Sequence, residues 1–209
     1  MKKIMDKLFN NIKFDKRYVL FSIIIILLGI ITGSLFIVIL KNPDKSLVVE
    51  YIQSYIENIK NNEINYLEIF KNTIIINYII VIVISIIGFT YFFFPVNIML
   101  LFYKAFILGF SLSGFILTYK FKGLIFSIVY IFPHLIINII LFGILTAFST
   151  KLSINMIKSI IKRKNVNMRE YFNKYFSIII MFIFLITITS LYEGFVSTFL
   201  IKTIANLLI

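Results

Sequence analysis

Long apolar runs alternate with short charged segments along the whole chain. A bilayer core of about 30 Å needs about 20 apolar residues in helical form, and runs of that length recur here. The pattern predicts five transmembrane helices, at about residues 18–40, 73–94, 97–118, 123–148 and 175–201. We therefore expect an all-α fold, a polytopic membrane helix bundle that forms a single integral membrane domain over the whole chain.

The middle block, residues 72–119, contains a single charged residue, Lys104, and is too long for one helix. Pro95 predicts a turn within it, because proline lacks the amide hydrogen and disfavours helix in the residue before it. Charge counting supports two helices, since Lys and Arg collect on the cytoplasmic side of membranes. With five spans and a cytoplasmic N-terminus, segments 1–17 and 151–174 hold 13 of the 21 basic residues. Four spans would place most of them outside, so we expect the N-terminus inside and the C-terminus outside.

The segments between the spans also carry patterns. In the predicted outside loop, residues 41–71, apolar side chains recur at intervals of three and four, namely Val48, Ile52, Tyr55, Ile56 and Ile59. This spacing predicts an amphipathic helix. Such a helix either lies on the membrane surface or on its own bundle, or offers its apolar stripe to an extracellular partner. The predicted cytoplasmic loop, residues 149–174, is basic, which fixes the topology and suits anionic lipid headgroups.

Composition narrows the class of protein. The chain is 60% hydrophobic and 14% charged, with a mean hydropathy of +1.00, which excludes an ordinary soluble domain. It contains no cysteine, which excludes disulfides, thiolate nucleophiles and sulfur metal sites. The net charge of +12 would suit nucleic acid, but the lysines stand in short blocks between apolar runs. We therefore expect anionic lipid headgroups as the partner and no nucleic acid.

Polar residues are costly inside a bilayer and mark candidate sites. Lys104 lies about seven residues into the third predicted span, where it either snorkels to the cytoplasmic interface or faces Asn138 of the fourth. Pro133 is expected to kink the fourth helix and free a backbone carbonyl, to which His134 could donate. Glu193 is expected near the outer end of the fifth span. By topology, the nearest cations to that carboxylate are three lysines, Lys120, Lys122 and Lys202.

Glycines add candidates for close helix packing, because they let two backbones approach. Gly29 and Gly33 lie one turn apart in the first span, and Gly194 follows the carboxylate of the fifth. Ten residues are candidates for interaction or packing: Lys104, Gly109, Pro133, His134, Asn138, Glu193, Gly194, Ile52, Tyr55 and Ile59. With one histidine and one carboxylate in the predicted spans, we expect no catalytic, cofactor-binding or metal-binding residues.

Three segments of the chain resemble the stage II sporulation protein M family. They are YKAFILGFSLSGF at Tyr103–Phe115, FKGLIFSIVYIFPH at Phe121–His134 and LYEGFVSTFL at Leu191–Leu200. The length, the five predicted spans and the basic N-terminus agree with the resemblance. Two positions depart from the family pattern: Ala105 stands where relatives often have glycine, and His134 where glutamine is also met.

The resemblance implies a non-enzymatic membrane scaffold for engulfment, the stage of sporulation in which the mother-cell membrane migrates around the forespore. Its expected partners are stage II sporulation proteins D and P, which degrade peptidoglycan, and its expected location is the septal membrane of the mother cell. The residues themselves leave an alternative, a small transporter or channel subunit that uses the polar residues of the third to fifth spans. A membrane enzyme has less support, because no paired acids, HExxH motif or serine with a base is visible.

Overall fold

The computed structural model describes residues 15–61, 65–90, 93–128, 132–162 and 168–208. These residues form helices and no strands, which confirms the all-α prediction. The helices are α1 Lys16–Ile39, α2 Asn42–Asn61, α3 Tyr66–Gly88, α4 Phe94–Phe126, α5 Phe132–Lys162, α6 Met168–Leu191 and α7 Thr198–Leu208, with a π-helical turn at Tyr192–Ser197. Within the described ranges, five helices are long and apolar enough to cross a membrane: α1, α3, α4, α5, and α6 with its continuation through the π-helical turn.

The second span differs in its bounds from the prediction of 73–94. Helix α3 begins at Tyr66, where the Asn65 side chain accepts a hydrogen bond from the Glu68 amide at 3.2 Å and caps the helix. It ends at Gly88, although the sequence stays apolar for several residues more. Pro95 lies in the first turn of α4 rather than in the connection, because its missing amide hydrogen needs no partner there.

Side chains from three other helices donate to backbone carbonyls in the last turn and a half of α3, where several carbonyls lack the usual helical partner. The Ser149 hydroxyl donates to the Ile84 carbonyl at 2.9 Å, and the Ser153 hydroxyl donates to the Gly88 carbonyl at 3.2 Å. The Tyr175 hydroxyl and the Asn97 amide reach the same stretch of backbone. Donors packed around the end of α3 therefore support its termination within the bundle.

The boundary predicted between the third and fourth spans, at residues 119–122, coincides with a break in α4. Lys120 has φ 51° and ψ −125°, so the chain leaves the helical path there and α4 consists of two helical pieces. The second piece turns back on the first, since a Cβ at Gly123 would overlap the Phe115 carbonyl oxygen. The chain is π-helical at residues 127–128, and α5 is described from Phe132, with Pro133 in its first described turn. The kink expected before Pro133 would lie among residues outside those described, so it stays a prediction. The carbonyl that His134 was expected to satisfy belongs to residues outside those described.

Helices α5 and α6 are longer than the spans predicted for them. Helix α5 runs on to Lys162 and α6 begins at Met168, so that most of the predicted cytoplasmic loop 149–174 is helical. The apolar residues Ile154 and Ile157 continue the periodicity of α5 beyond its buried part. Amphipathic extensions therefore replace most of the predicted loop.

The core of the bundle lies among α3, α4, α5 and α6. Its fully buried side chains include one to two from each of these helices: Val81, Ile84, Leu101, Leu145, Phe182 and Ile186. Many large apolar side chains point outward instead, Leu27 and Ile31 of α1 among them. Such an exposed apolar surface is what lipid would cover.

Helix α1 packs against α4 through small residues. A Cβ at Gly29 would lie 2.5 Å from the Ala105 Cβ, and a Cβ at Gly33 would overlap the Phe106 carbonyl oxygen. The Ser34 hydroxyl donates to the Gly109 carbonyl at 3.2 Å. The two backbones thus approach as closely as small residues allow, in the manner of small-xxx-small packing in membranes.

Candidate functional site

Helices α3, α4 and α5 and the π-helical turn line a half-open cavity of about 180 Å³, with the exposed side chains Ile76 and Ile107 on its walls. Its polar lining consists of Thr73, Asn77, Lys104, Asn138 and Glu193. The remaining walls are isoleucine, leucine and phenylalanine side chains. A lysine and a glutamate therefore share one cavity within the spans, which makes it the candidate site.

Glu193 reaches the cavity from the π-helical turn. Such turns are rare and often occur at functional sites. Its carboxylate accepts a hydrogen bond from the Thr73 hydroxyl at 3.2 Å. Next to it, a Cβ at Gly194 would lie 2.6 Å from the Phe70 Cβ, so the turn packs closely on α3. The glycine thus permits the approach that brings Glu193 to Thr73.

His134 is buried next to Glu193 and does not line the cavity. Its Nδ1 atom is 3.1 Å from the Ser197 hydroxyl, and its Nε2 atom is 4.0 Å from the Glu193 carboxylate. The three side chains form a series that resembles a serine, a base and an acid. Ser197 is only 1% exposed, however, so the arrangement does not present its hydroxyl to a substrate.

Lys104 and Asn138 line the same cavity, but Asn138 has another partner. The Asn138 side-chain oxygen accepts a hydrogen bond from the Thr189 hydroxyl at 2.5 Å. Lys104 faces Glu193, and the two opposite charges attract each other without a direct ion pair. The lysine therefore lines the same cavity as Asn138 and Glu193.

The cation that shares a cavity with Glu193 is thus Lys104 and none of the three lysines expected from topology. Those three, Lys120, Lys122 and Lys202, are exposed. The sequence placed Lys104 and Glu193 at different depths because each depth was counted from the end of an apolar run, taken as the end of the helix. The helices of the structure begin earlier or later than those runs, and this changes which residues lie at the same depth in the bundle.

The sequence analysis did not select Thr73, which donates a hydrogen bond to the Glu193 carboxylate. It also did not select the hydroxyl groups that pair with the side-chain amides of Asn77 and Asn138. The Asn77 amide donates to the Ser190 hydroxyl at 3.3 Å, which ties α3 to α6. A signal was present in the spacing, since Thr73 and Asn77 lie one turn apart on α3. In the part of the chain that the structure describes, no three His, Asp or Glu side chains come together as metal ligands would.

The candidates of the outside loop lie elsewhere, on α2. Ile52 and Ile56 of this helix are 8% and 0% exposed, packed against Phe115, Phe126 and Ile201. Ile59 packs partly on the same cluster, whereas Tyr55 is 38% exposed. The amphipathic helix thus lies on its own bundle, and the interpretation of its apolar stripe as a docking face is wrong for Ile52.

The remaining candidates are Gly109 and Pro133. A Cβ at Gly109 would overlap the Ile30 carbonyl oxygen, so this glycine lies in the contact between α1 and α4. Pro133 stands at the start of α5, one residue before the buried histidine. Neither lines the cavity.

Comparison with known proteins gives a family. The family model described as stage II sporulation protein M matches residues 21–198, which include Lys104, His134 and Glu193. Searches of curated proteins and of solved structures gave no significant match. Because the match extends over most of the chain, this protein belongs to the stage II sporulation protein M family.

Proposed function

We propose that this protein is a non-enzymatic membrane scaffold that recruits and anchors peptidoglycan-degrading enzymes at the septum during forespore engulfment. The partners would be stage II sporulation proteins D and P, and the location would be the septal membrane of the mother cell. Family membership indicates a sporulation-related membrane protein, and the five apolar helices fit a multi-pass one. The scaffold role goes further, and one feature of α2 supports it.

That feature is the face that α2 turns away from the bundle. Because Ile52 and Ile56 are used to hold the helix in place, its other side is presented rigidly. Leu47 and Tyr51 on that side are 63% and 74% exposed, one turn apart, with Tyr55 following another turn later. Tyrosine is enriched in the energetic centres of protein interfaces. We assign this exposed face, rather than the buried stripe, to the partner.

The charge pattern of the chain supports the same assignment. Basic residues are concentrated before α1 and around the connection between α5 and α6, and such residues collect on the cytoplasmic side. This pattern would place α2 on the outer side of the membrane. Peptidoglycan lies on that side, and so would enzymes that cut it. A helix fixed there is suited to hold such enzymes close to the membrane.

Substitution of Tyr51 tests the scaffold role. We expect Tyr51→Ala to lower co-purification of proteins D and P from sporulating cells by about tenfold, since interface aromatics contribute 1–2 kcal/mol or more. Tyr103→Ala, at a residue 59% exposed on the apolar surface of α4, is the matched control and should leave recovery unchanged. Failure of the unmodified protein to recover either enzyme would refute the scaffold role. Normal recovery by Tyr51→Ala alone would refute only the assignment of the face.

The cavity supports a second candidate function, a small transporter or channel subunit. Intramembrane Lys104 and Glu193 are the kind of groups that line substrate and ion pathways. Ion flux in liposomes that is lost in both Lys104→Met and Glu193→Gln would favour this candidate. Under the scaffold proposal, liposomes with the unmodified protein should leak no faster than protein-free ones.

A further inference from the structure

The two charges of the cavity are opposite and do not touch. Lys104 and Glu193 both line it, and they attract each other without forming a direct ion pair. Charges taken out of water are stable when each has a close partner of opposite sign or several hydrogen bonds. A molecule that carries one charge of each sign at its two ends would supply both partners at once.

The neighbouring amides add unused hydrogen-bonding groups to the same walls. Asn138 accepts a hydrogen bond from Thr189 through its oxygen, and its amide nitrogen makes none to another described residue. Asn77 donates to Ser190 through its nitrogen, and its oxygen likewise has no described donor. The cavity thus offers donors from Lys104 and an amide, and acceptors from Glu193 and an amide.

The cavity is half open, so its volume gives the approximate size of a ligand held within it, and its apolar walls indicate the character of part of that ligand. A cavity of about 150 Å³ accommodates benzene, which has six non-hydrogen atoms. The volume here is about 180 Å³, enough for roughly seven such atoms. The walls that are not polar are aliphatic and aromatic, among them Ile107, Leu108 and Phe142. A small aliphatic group of the ligand would lie against these walls when its two charged ends are next to Lys104 and Glu193.

From these observations we propose that the cavity binds a small zwitterion of the amino-acid type. Its carboxylate lies at Lys104 and the Asn138 amide, its ammonium at Glu193, and its aliphatic side chain against the apolar wall. The charges of Lys104 and Glu193 cancel, so a neutral zwitterion leaves no net charge buried. A ligand with one charge would leave one uncompensated, and is disfavoured for that reason.

The depth of the cavity is compatible with such a polar ligand. Thr73 lies seven residues from the first residue of α3, which is about 10 Å along the helix axis. Lys104 lies ten residues from the first residue of α4, which is about 15 Å. The site therefore extends from near one end of the bundle, at Thr73 and Glu193, toward its middle, at Lys104. The inference concerns binding alone and does not depend on the scaffold role, so either can fail without the other.

The test is a binding measurement on the full chain in lipid nanodiscs, with thermal unfolding as the readout. Glycine, L-alanine and L-valine are the probes, and acetate and methylamine, which carry one charge each, are the controls. We expect L-alanine at millimolar concentration to raise Tm, and acetate or methylamine at the same concentration to leave it unchanged. Absence of any shift with all three amino acids would overturn the proposal, as would an equal shift with either singly charged control.

Three variants locate the site. Lys104→Met and Glu193→Gln should each weaken L-alanine binding at least tenfold, whereas Lys202→Met, at an exposed lysine, should bind as the unmodified protein does. Equal binding by Lys104→Met would place the amino acid elsewhere and refute the assignment. If either cavity variant fails to fold, the probe series on the unmodified protein still decides whether a zwitterion binds, and Lys104→Arg tests the charge with its length nearly kept.

Discussion

The contact between α1 and α4 leads to a prediction that the structure makes quantitative. Replacing Gly109 by alanine puts a methyl group where its carbon overlaps the Ile30 carbonyl oxygen and lies 2.8 Å from the carbonyl carbon. Carbon contacts are favourable at about 3.5–4.0 Å. Both obstructing atoms belong to helical backbone and cannot rotate away, so α1 and α4 must separate by about 1 Å.

The magnitude follows from three effects. Overpacking of this kind costs about 1–3 kcal/mol. Separation also stretches the hydrogen bond from Ser34 to the Gly109 carbonyl, which contributes about 0.6 kcal/mol inside a membrane. Alanine is the better helix former by about 1 kcal/mol, which acts in the opposite direction. We therefore expect Gly109→Ala to lower the free energy of unfolding by about 1–3 kcal/mol.

The matched control is Gly143→Ala in α5. A Cβ there would meet the Ile26 Cδ1 atom at 2.8 Å, and this atom is the end of a flexible side chain that can move aside. The helix propensity gain should then offset the small repacking cost, so that stability changes by less than about 1 kcal/mol. Unfolding of both variants in mild detergent, followed by circular dichroism, measures the difference. Equal stability of the two variants would show that the small-residue contact does not decide how closely α1 approaches α4.

Three further changes have expected outcomes in the same unfolding assay. Asn138→Leu should destabilise the bundle by about 1 kcal/mol more than Ile139→Leu, because it removes a side chain–side chain hydrogen bond between α5 and α6; equal effects would contradict this role. Ser149→Ala should cost about 1–2 kcal/mol, since it removes the donor to the Ile84 carbonyl at the end of α3; a neutral result would mean that the remaining donors suffice. Asp15→Asn, in a partly exposed ion pair with Lys151 at the start of α1, should change stability by less than about 1 kcal/mol, and a larger loss would show that the pair contributes more than a surface ion pair does.

The number of spans could be predicted from the sequence, but several of their ends could not. The apolar run of α3 continues past Gly88 into Phe89, so hydropathy does not mark the end of the helix there. Donors from other helices, Ser149, Ser153 and Tyr175, surround that end and satisfy its carbonyls. Such an end depends on tertiary contacts, which hydropathy does not contain.

Several residues of the candidate site could be predicted from the sequence, but their arrangement in space could not. Lys104, Asn138 and Glu193 stand out because polar groups are rare in apolar runs, and all three line the cavity. Thr73 does not stand out, because threonine is ordinary in membrane helices. Which polar groups meet depends on the rotation and level of each helix, and both follow from packing rather than from spacing along the chain.

The π-helical turn Tyr192–Ser197 connects two parts of the molecule that otherwise look separate. On one side it carries Glu193 into the cavity, and two turns further on Ile201 lies under α2. One residue more or fewer in the turn would rotate α7 by about 100° against α6. The helical phase at this turn therefore sets both the position of the Glu193 carboxylate and the surface on which α2 packs. A one-residue deletion there would dislocate both together.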